Sequence, residues 1–313
     1  MRLLVLGGTK FLGRALAEDA LARGHELSLF NRGRSGPELF PETEQLHGDR
    51  AGDLAALEGR SWDAVIDTSG YVPAQVRAAA ELLRDSGRYV FVSSVSVYAD
   101  FSTGPTEESP TAELGDLPLD EVSADFSNYG PLKALCEAEV EEVFADRALI
   151  VRPGLIVGPH DPTGRFTYWA RRLERGGELL APGPPERRAQ FVDVRDLAAW
   201  ILDAVEQGRG GTFNVTNEGV PWGELLDGAD VTWVTDAFLQ EHGVGPWLEL
   251  PLWLPDPEWA GMHETGVRRA LDAGLRFRPL AETVSGAATA PAQDGAGLTP
   301  EREAELLAAW HRR

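Results

Sequence analysis

The chain has 313 residues, enough for one large domain or two smaller ones with a sizeable core. Its 43% hydrophobic and 25% charged content is that of a globular protein, and a formal net charge of -21 disfavours non-specific association with nucleic acid or anionic lipid. A single cysteine, Cys136, excludes an internal disulfide framework and a multi-cysteine zinc site, and six scattered histidines show no metal-ligand spacing, so no metal is expected. Met1 runs directly into an apolar strand with no leader-type cleavage site, and no apolar run approaches the ~18 residues of a membrane span; a cytoplasmic protein is expected.

In chain order, "RLLVLG" (2–7) reads as a buried strand, and "FLGRALAEDALARG" (11–24) as a helix ended by Gly24. Strands follow at 26–31, 44–49 and 63–69, a helix at 74–87, and a strand at 88–94. A segment rich in proline, serine and acids fills 99–128, as a surface loop or a lid. A long helix at 129–145 leads into a strand at 148–154. Continuous β-branched strands alternating with helices predict an α/β fold with a doubly wound parallel sheet. Residues 1–160 form this Rossmann-type domain, completed by a strand, a helix and a strand within 190–216. Residues 161–189 and 217–313, rich in tryptophan and proline, are expected to form a smaller substrate-binding region. Within it, 285–297 reads as a flexible linker and 299–310 as a helix capped by Thr299. The tryptophans are expected to be core.

In such a sheet ligands gather at the carboxyl ends of the strands, and three motifs lie there. "GGTKFLG" follows the first strand and opens the first helix. Gly7 permits a sharp turn, Gly13 permits close helix–strand packing, and the helix N-terminus offers N–H groups to a pyrophosphate. "YGPLK" places Tyr129 and Lys133 four residues apart on one helical face, where an ammonium lowers a phenol pKa. "VSSVSVY" ends the fifth strand with serines suited to hold a substrate oxygen. The chain has only two lysines, Lys10 and Lys133, and both fall in these motifs. Strand two ends in Asn31 rather than an acid, followed by Arg32 and Arg34. Asparagine does not repel a 2′-phosphate, and Arg32, Arg34 and Lys10 offer positive charge to one, which favours NADP over NAD.

With "GDR" at 48–50, "RPGLIVGP" at 152–159, "QFVDVRDLA" at 190–198 and "FNVT" at 213–216, these motifs make the chain resemble the extended, atypical short-chain dehydrogenase/reductases, the NAD-dependent epimerase/dehydratase family. The resemblance implies a nicotinamide cofactor, a small-molecule substrate, a homodimer through the helices 74–86 and 129–145, and Ser94, Tyr129 and Lys133 as the catalytic set. Ser94 is preferred to Ser93 and Ser96 because it stands four before Tyr98, as in the family's "S-x-x-V-Y" segment. Gly7, Thr9, Lys10, Phe11, Leu12, Gly13, Asn31, Arg32, Arg34, Asp49, Arg50, Thr68, Ser69, Gly70, Pro153 and Leu155 are the expected cofactor residues, with Asp49 and Arg50 near the adenine. Ser96, His160, Arg165 and Arg187 are candidate substrate contacts.

Two departures narrow the function. Val95 and Ser96 stand where the sugar-nucleotide dehydratases carry Asp-Glu, and Leu155 stands near where epimerases carry a diphosphate-binding asparagine. A reductase or dehydrogenase is expected. The alternatives are an epimerase that retains its NAD, and a non-catalytic nucleotide-sensing or RNA-binding protein on the same fold.

Overall fold

The structure, a computed structural model, describes residues 1–36, 38–291 and 295–313. Six apolar segments form β1 (Arg2–Leu6), β2 (Glu26–Asn31), β3 (Glu44–His47), β4 (Ala64–Asp67), β5 (Tyr89–Val92) and β6 (Ala148–Pro153). With a seventh strand, Gly211–Val215, they make one parallel sheet in the order β3-β2-β1-β4-β5-β6-seventh. The order reverses beside β1, which pairs with both β2 (Val5 opposite Leu29) and β4 (Val5 opposite Ile66). This reversal is the switch point at which a doubly wound sheet opens a ligand crevice.

Both faces of the sheet are covered, which is why its strands carry apolar residues without alternation. On one face α1 (Phe11–Ala22) and α5 (Val194–Glu206) lay Leu16, Ala20, Leu197 and Trp200 against Val5, Leu29 and Val151. On the other, α2 (Pro73–Leu82) and α3 (Tyr129–Phe144) lay Val76, Ala79, Val140 and Phe144 against Tyr89, Phe91 and Ile150. Gly24, in a left-handed conformation (φ +79°), follows the end of α1 as expected.

A further apolar cluster packs around α4 (Arg165–Arg175), with Phe166, Trp169, Trp222, Phe238, Trp253 and Leu306 buried. Trp169 and Trp222 meet edge to face at 4.7 Å between ring centroids. Trp222 and Trp253, with Trp169 of α4, are core, and the indole N–H groups of Trp169 and Trp253 are satisfied by Pro251 O and Asp236 Oδ1; the expectation fails for Trp259, which is exposed, and Trp233 and Trp247 are only half-buried. The terminal helix Pro300–His311 begins where expected, its cap Thr299 Oγ1 accepting from Arg302 N at 3.2 Å.

Two expectations are corrected. Phe191–Asp193 does not return to the central sheet; it pairs with Leu155–Val157 in a separate two-stranded ladder. Asp193 must cap α5 immediately, its carboxylate accepting from Arg195 N, so the helix starts at once and Gly211–Val215 takes the sheet edge. The stretch 285–297 is not a linker at its start. A helix, Leu280–Ala288, runs into it and buries Ala287. Residues 292–294 of that stretch lie outside the described residues. Among the described residues, no helix is long and apolar enough to cross a membrane.

Candidate active site

The glycine loop closes the carboxyl end of β1. Gly7 (φ +117°) adopts a conformation that L side chains avoid, and a Cβ there would meet Thr68 Oγ1 at 2.4 Å. Gly13 sits in the first turn of α1 so close to the loop that a Cβ would lie 2.5 Å from Gly8 N. The close approach at Gly13 is thus helix to loop. Thr68 Oγ1 and Ser69 Oγ both donate to Leu6 O, at 3.0 and 3.2 Å, tying the β4 end to the β1 end. Phe11, half-buried, and Leu12, buried, continue the loop into α1. Lys10, at the N-cap position, is exposed, and Thr9 is half-buried beside it.

At the end of β2, Asn31 Oδ1 accepts from Gly33 N at 2.7 Å while its Nδ2 is buried without a partner. An orphaned buried donor at the end of β2 fits an incoming acceptor, such as a ribose hydroxyl. Arg32 and Arg34 are exposed. The tight glycine loop, the helix N-terminus behind it and this unsatisfied amide together fit a dinucleotide.

Arg50 has another task than the one expected. Its guanidinium forks onto Asp67 at 2.7 and 2.8 Å and donates to Ser69 Oγ at 3.1 Å. Asp67 is fully buried and also accepts from Tyr89 Oη and Ser69 N. Burial alone would raise its carboxyl, but Arg50 and these donors hold it below the usual carboxylate range. The pair braces the β4 end, where Gly70 also lies buried. Asp49 accepts from Ala51 N at 3.0 Å, closing its own turn.

The catalytic candidates converge from two elements. The Gly130 backbone of α3 lies against the Val95–Val97 turn (Ser96 O would stand 2.0 Å from a Cβ), which brings Tyr129 to Ser94. Ser94 Oγ accepts from Ser96 N at 3.1 Å and donates to Ser96 Oγ at 3.0 Å, so it also caps its own turn. Burial pushes the Tyr129 phenol up to about 12; Tyr71 adds to the rise, while Ser94 and Arg165 act against it. The expected lowering by Lys133 is not met: Lys133 is not among the main influences on this phenol. Lys133 is buried beneath the site and donates to Gly70 O at 2.7 Å and Val92 O at 2.6 Å. Its ammonium lies 4.1 Å from the Phe91 ring centroid, and burial pulls it down to about 8.

A small cavity, with room for about one water, lies beside Val95, the residue after Ser94, with Gly154, Leu155, Trp247 and His263 also in its wall. Pro153 ends β6 just before it. Thr216 Oγ1 and Thr265 Oγ1 are buried in the same wall without partners. His263 accepts from Gln190 N at Nδ1 and donates from Nε2 to Leu252 O; burial holds it down at about 4, so it is neutral. Cys136 is buried and its thiol pushed up to about 12, which makes it a packing residue.

The substrate candidates separate. Ser96 is at the site. His160 is exposed, with φ +66°. Arg187 is committed elsewhere: its fork pairs with both oxygens of Asp236 at 2.9 and 2.6 Å, within the second apolar region. Arg165 lies 4.9 Å above the Trp247 ring of the pocket wall.

Sequence reasoning missed several residues. Asp67 and Arg152 are charged residues within buried strands, and that oddity is a signal for a partner. Arg152 forks onto Glu137 of α3 at 2.9 and 2.6 Å and donates to Tyr98 Oη, which in turn donates to Asn214 Oδ1. Exposed Tyr71 and Phe126 flank Tyr129 at 6.4 and 6.3 Å between centroids; the position of Tyr71 just after β4 was its signal in the sequence, and Phe126 had none.

A profile described as the NAD dependent epimerase/dehydratase family matches residues 3–216. The chain belongs to that family. The family is described as NAD dependent, and this chain is an NAD(P)-dependent oxidoreductase or epimerase. It is 28% identical over 317 residues to dTDP-6-deoxy-L-talose 4-dehydrogenase (NAD(P)(+)) of Kitasatospora kifunensis, covering 90% of this chain and 93% of that one. It is 25% identical over 238 residues to the chloroplast stem-loop binding protein of 41 kDa b of Arabidopsis thaliana, covering 69% of this chain but only 59% of that protein. In fold it is similar to UDP-glucuronic acid 4-epimerase from Bacillus cereus, solved in complex with NAD, with a TM-score of 0.63 and 15% identity over 92% of this chain and 95% of that chain.

Proposed function

We propose that this family member is a reductase or dehydrogenase acting at a substrate carbonyl or carbinol carbon, with Ser94, Tyr129 and Lys133 as its working set. The observation that carries this reading is the convergence of Tyr129 and Ser94, from α3 and the turn after β5, beside the pocket walled by Val95, Gly154 and Leu155. When bound, the nicotinamide supplies or takes up the hydride. Tyr129, kept protonated through neutral pH by burial, is set up to give its proton to a carbonyl oxygen, which favours the reductive direction. Ser94 would orient that oxygen. Lys133, bonded to Gly70 O and Val92 O, joins the ends of β4 and β5 beneath the reacting groups and adds positive charge there.

The glycine loop from Gly7 to Gly13 would hold the pyrophosphate, Asn31 Nδ2 the adenosine ribose, and the Pro153–Leu155 turn the nicotinamide. NADP is the preferred cofactor, through Lys10, Arg32 and Arg34. The substrate-binding region comprises 161–189 and 217–313, and the chain works as a homodimer through α2 and α3. The full-length similarity to an NAD(P)(+) dehydrogenase supports an oxidoreductase. The net charge of -21 weighs against an RNA backbone as partner, despite the stem-loop binding relative.

The decisive variant is Tyr129→Phe. Carbonyl reduction is expected to fall by about 10²–10⁴-fold with cofactor affinity kept. Turnover at the parent rate overturns the assignment. NAD(H) held tightly through purification, with no exchange, would replace it by a retained-cofactor epimerase.

A further inference from the structure

Arg165 differs from the other arginines near the pocket. Arg50, Arg152 and Arg187 each fork onto a carboxylate. Arg165, at the first turn of α4, makes no hydrogen bond and no ion pair among the described residues, although it is half-buried. Its guanidinium lies over Trp247, 4.9 Å from the ring centroid, and Trp247 is itself pocket wall together with Val95 and Leu155. A cation–π contact uses none of the guanidinium N–H donors and leaves them free.

The nearest acid is Asp161, and it does not supply the missing partner. Asp161 is fully buried, its Oδ1 accepts from Thr163 N at 2.8 Å, and its Oδ2 has no partner. Burial raises the Asp161 carboxyl, which further weakens it as a counter-charge. On the other side Arg165 is near enough to the Tyr129 phenol for each to act on the other electrostatically. An unpaired guanidinium, partly desolvated and held between a pocket wall and the reacting tyrosine, is costly unless an anion meets it.

We propose that Arg165 binds a carboxylate on the substrate, so that the enzyme acts on keto or hydroxy acids and not on neutral carbonyl compounds. This rests on the oxidoreductase reading above. A planar fork pairs best with a planar carboxylate, through two parallel charge-assisted hydrogen bonds. No nucleotide diphosphate is needed for recognition, in keeping with Leu155 standing in place of a diphosphate-binding asparagine.

The test uses the full chain with NADPH and NADH. A series of keto acids from pyruvate to ketohexanoate is assayed, each beside its methyl ester. Binding of the matching hydroxy acids to the oxidised-cofactor complex is measured by calorimetry. The acids are expected to exceed their esters in kcat/KM, and Arg165→Gln to cut that preference by about 10- to 100-fold, mainly through KM. Arg165→Lys should restore part of it, and NADPH affinity serves as the control for folding. Esters used as well as acids, or acid and ester falling by the same factor in Arg165→Gln, would overturn the proposal. Hydroxy-acid binding that is lost in Arg165→Gln supports the carboxylate site even if Tyr129→Phe proves the catalytic reading wrong. Hydroxy-acid binding absent from the parent protein, or unchanged by Arg165→Gln, refutes it whatever the activity.

Discussion

Lys10 stands where a glycine would let a phosphate approach the backbone, and its side chain is exposed at the mouth of the crevice. Arg32 and Arg34 are exposed across from it, after an asparagine whose buried amide lacks a partner. A positively charged rim around a neutral ribose site suits a 2′-phosphate. Replacing Lys10 and Arg32 together by alanine is expected to lower the NADPH-over-NADH preference by about tenfold or more, read from kcat/KM for the two cofactors. An unchanged ratio would reduce these side chains to solvated loop residues. His263 makes a second residue-scale prediction. Burial holds it neutral, with a folded pKa of about 4 against an ordinary 6.5. The unfolded chain therefore takes up a proton first, so stability is intact above pH 6.5 and is lost as pH falls toward 4, by on the order of 3 kcal/mol from this group. In urea unfolding at pH 7, His263→Gln should be the less stable protein. By pH 5 the gap should narrow by about 2 kcal/mol. A gap of the same size at both pH values would contradict a buried neutral imidazole.

At the scale of elements, α3 decides where Tyr129 stands. It is fixed by the Gly130 contact with the Val95–Val97 turn and by the Glu137–Arg152 pair that ties it to β6. Both partners are buried, so the desolvated fork is specific more than it is strong. Breaking it is another matter, because it leaves a carboxylate alone in the core. Arg152→Leu is expected to cost about 3–5 kcal/mol in chemical denaturation, and Glu137→Leu added to it should recover much of the loss. If the single and double variants are equally unstable, the defect is in packing and not in the stranded charge. The strands and helices themselves were legible from periodicity, because a parallel sheet covered on both faces writes continuous apolar runs. Their partners were not: Phe191–Asp193 has the composition of a sheet strand but leaves the sheet, since Asp193 caps the following helix.

For the whole molecule, α2 and α3 lie together on one face of the sheet, with Leu135 of α3 exposed (38%). An apolar side chain exposed there suits burial against a second copy. Light scattering is expected to give twice the 34.0 kDa chain mass, and Leu135→Glu to shift the protein to monomer. A monomeric parent would exclude this interface. The alternation of apolar runs and helical patterns determined the doubly wound sheet, and the glycines and Ser94 after strand ends, with Tyr129 and Lys133 four residues apart at the start of a helix, made the candidate site legible. Those features are local: a period, a turn, a four-residue spacing. Which charges are spent and which are free was settled only by the tertiary structure. Arg50 and Arg187, both plausible ligand contacts by position, are paired with Asp67 and Asp236; Lys133 is bonded to two carbonyls; Arg165 is left without a partner over Trp247. The reason is that pairing depends on residues far apart in the chain meeting at hydrogen-bond distance, and no local pattern encodes that meeting.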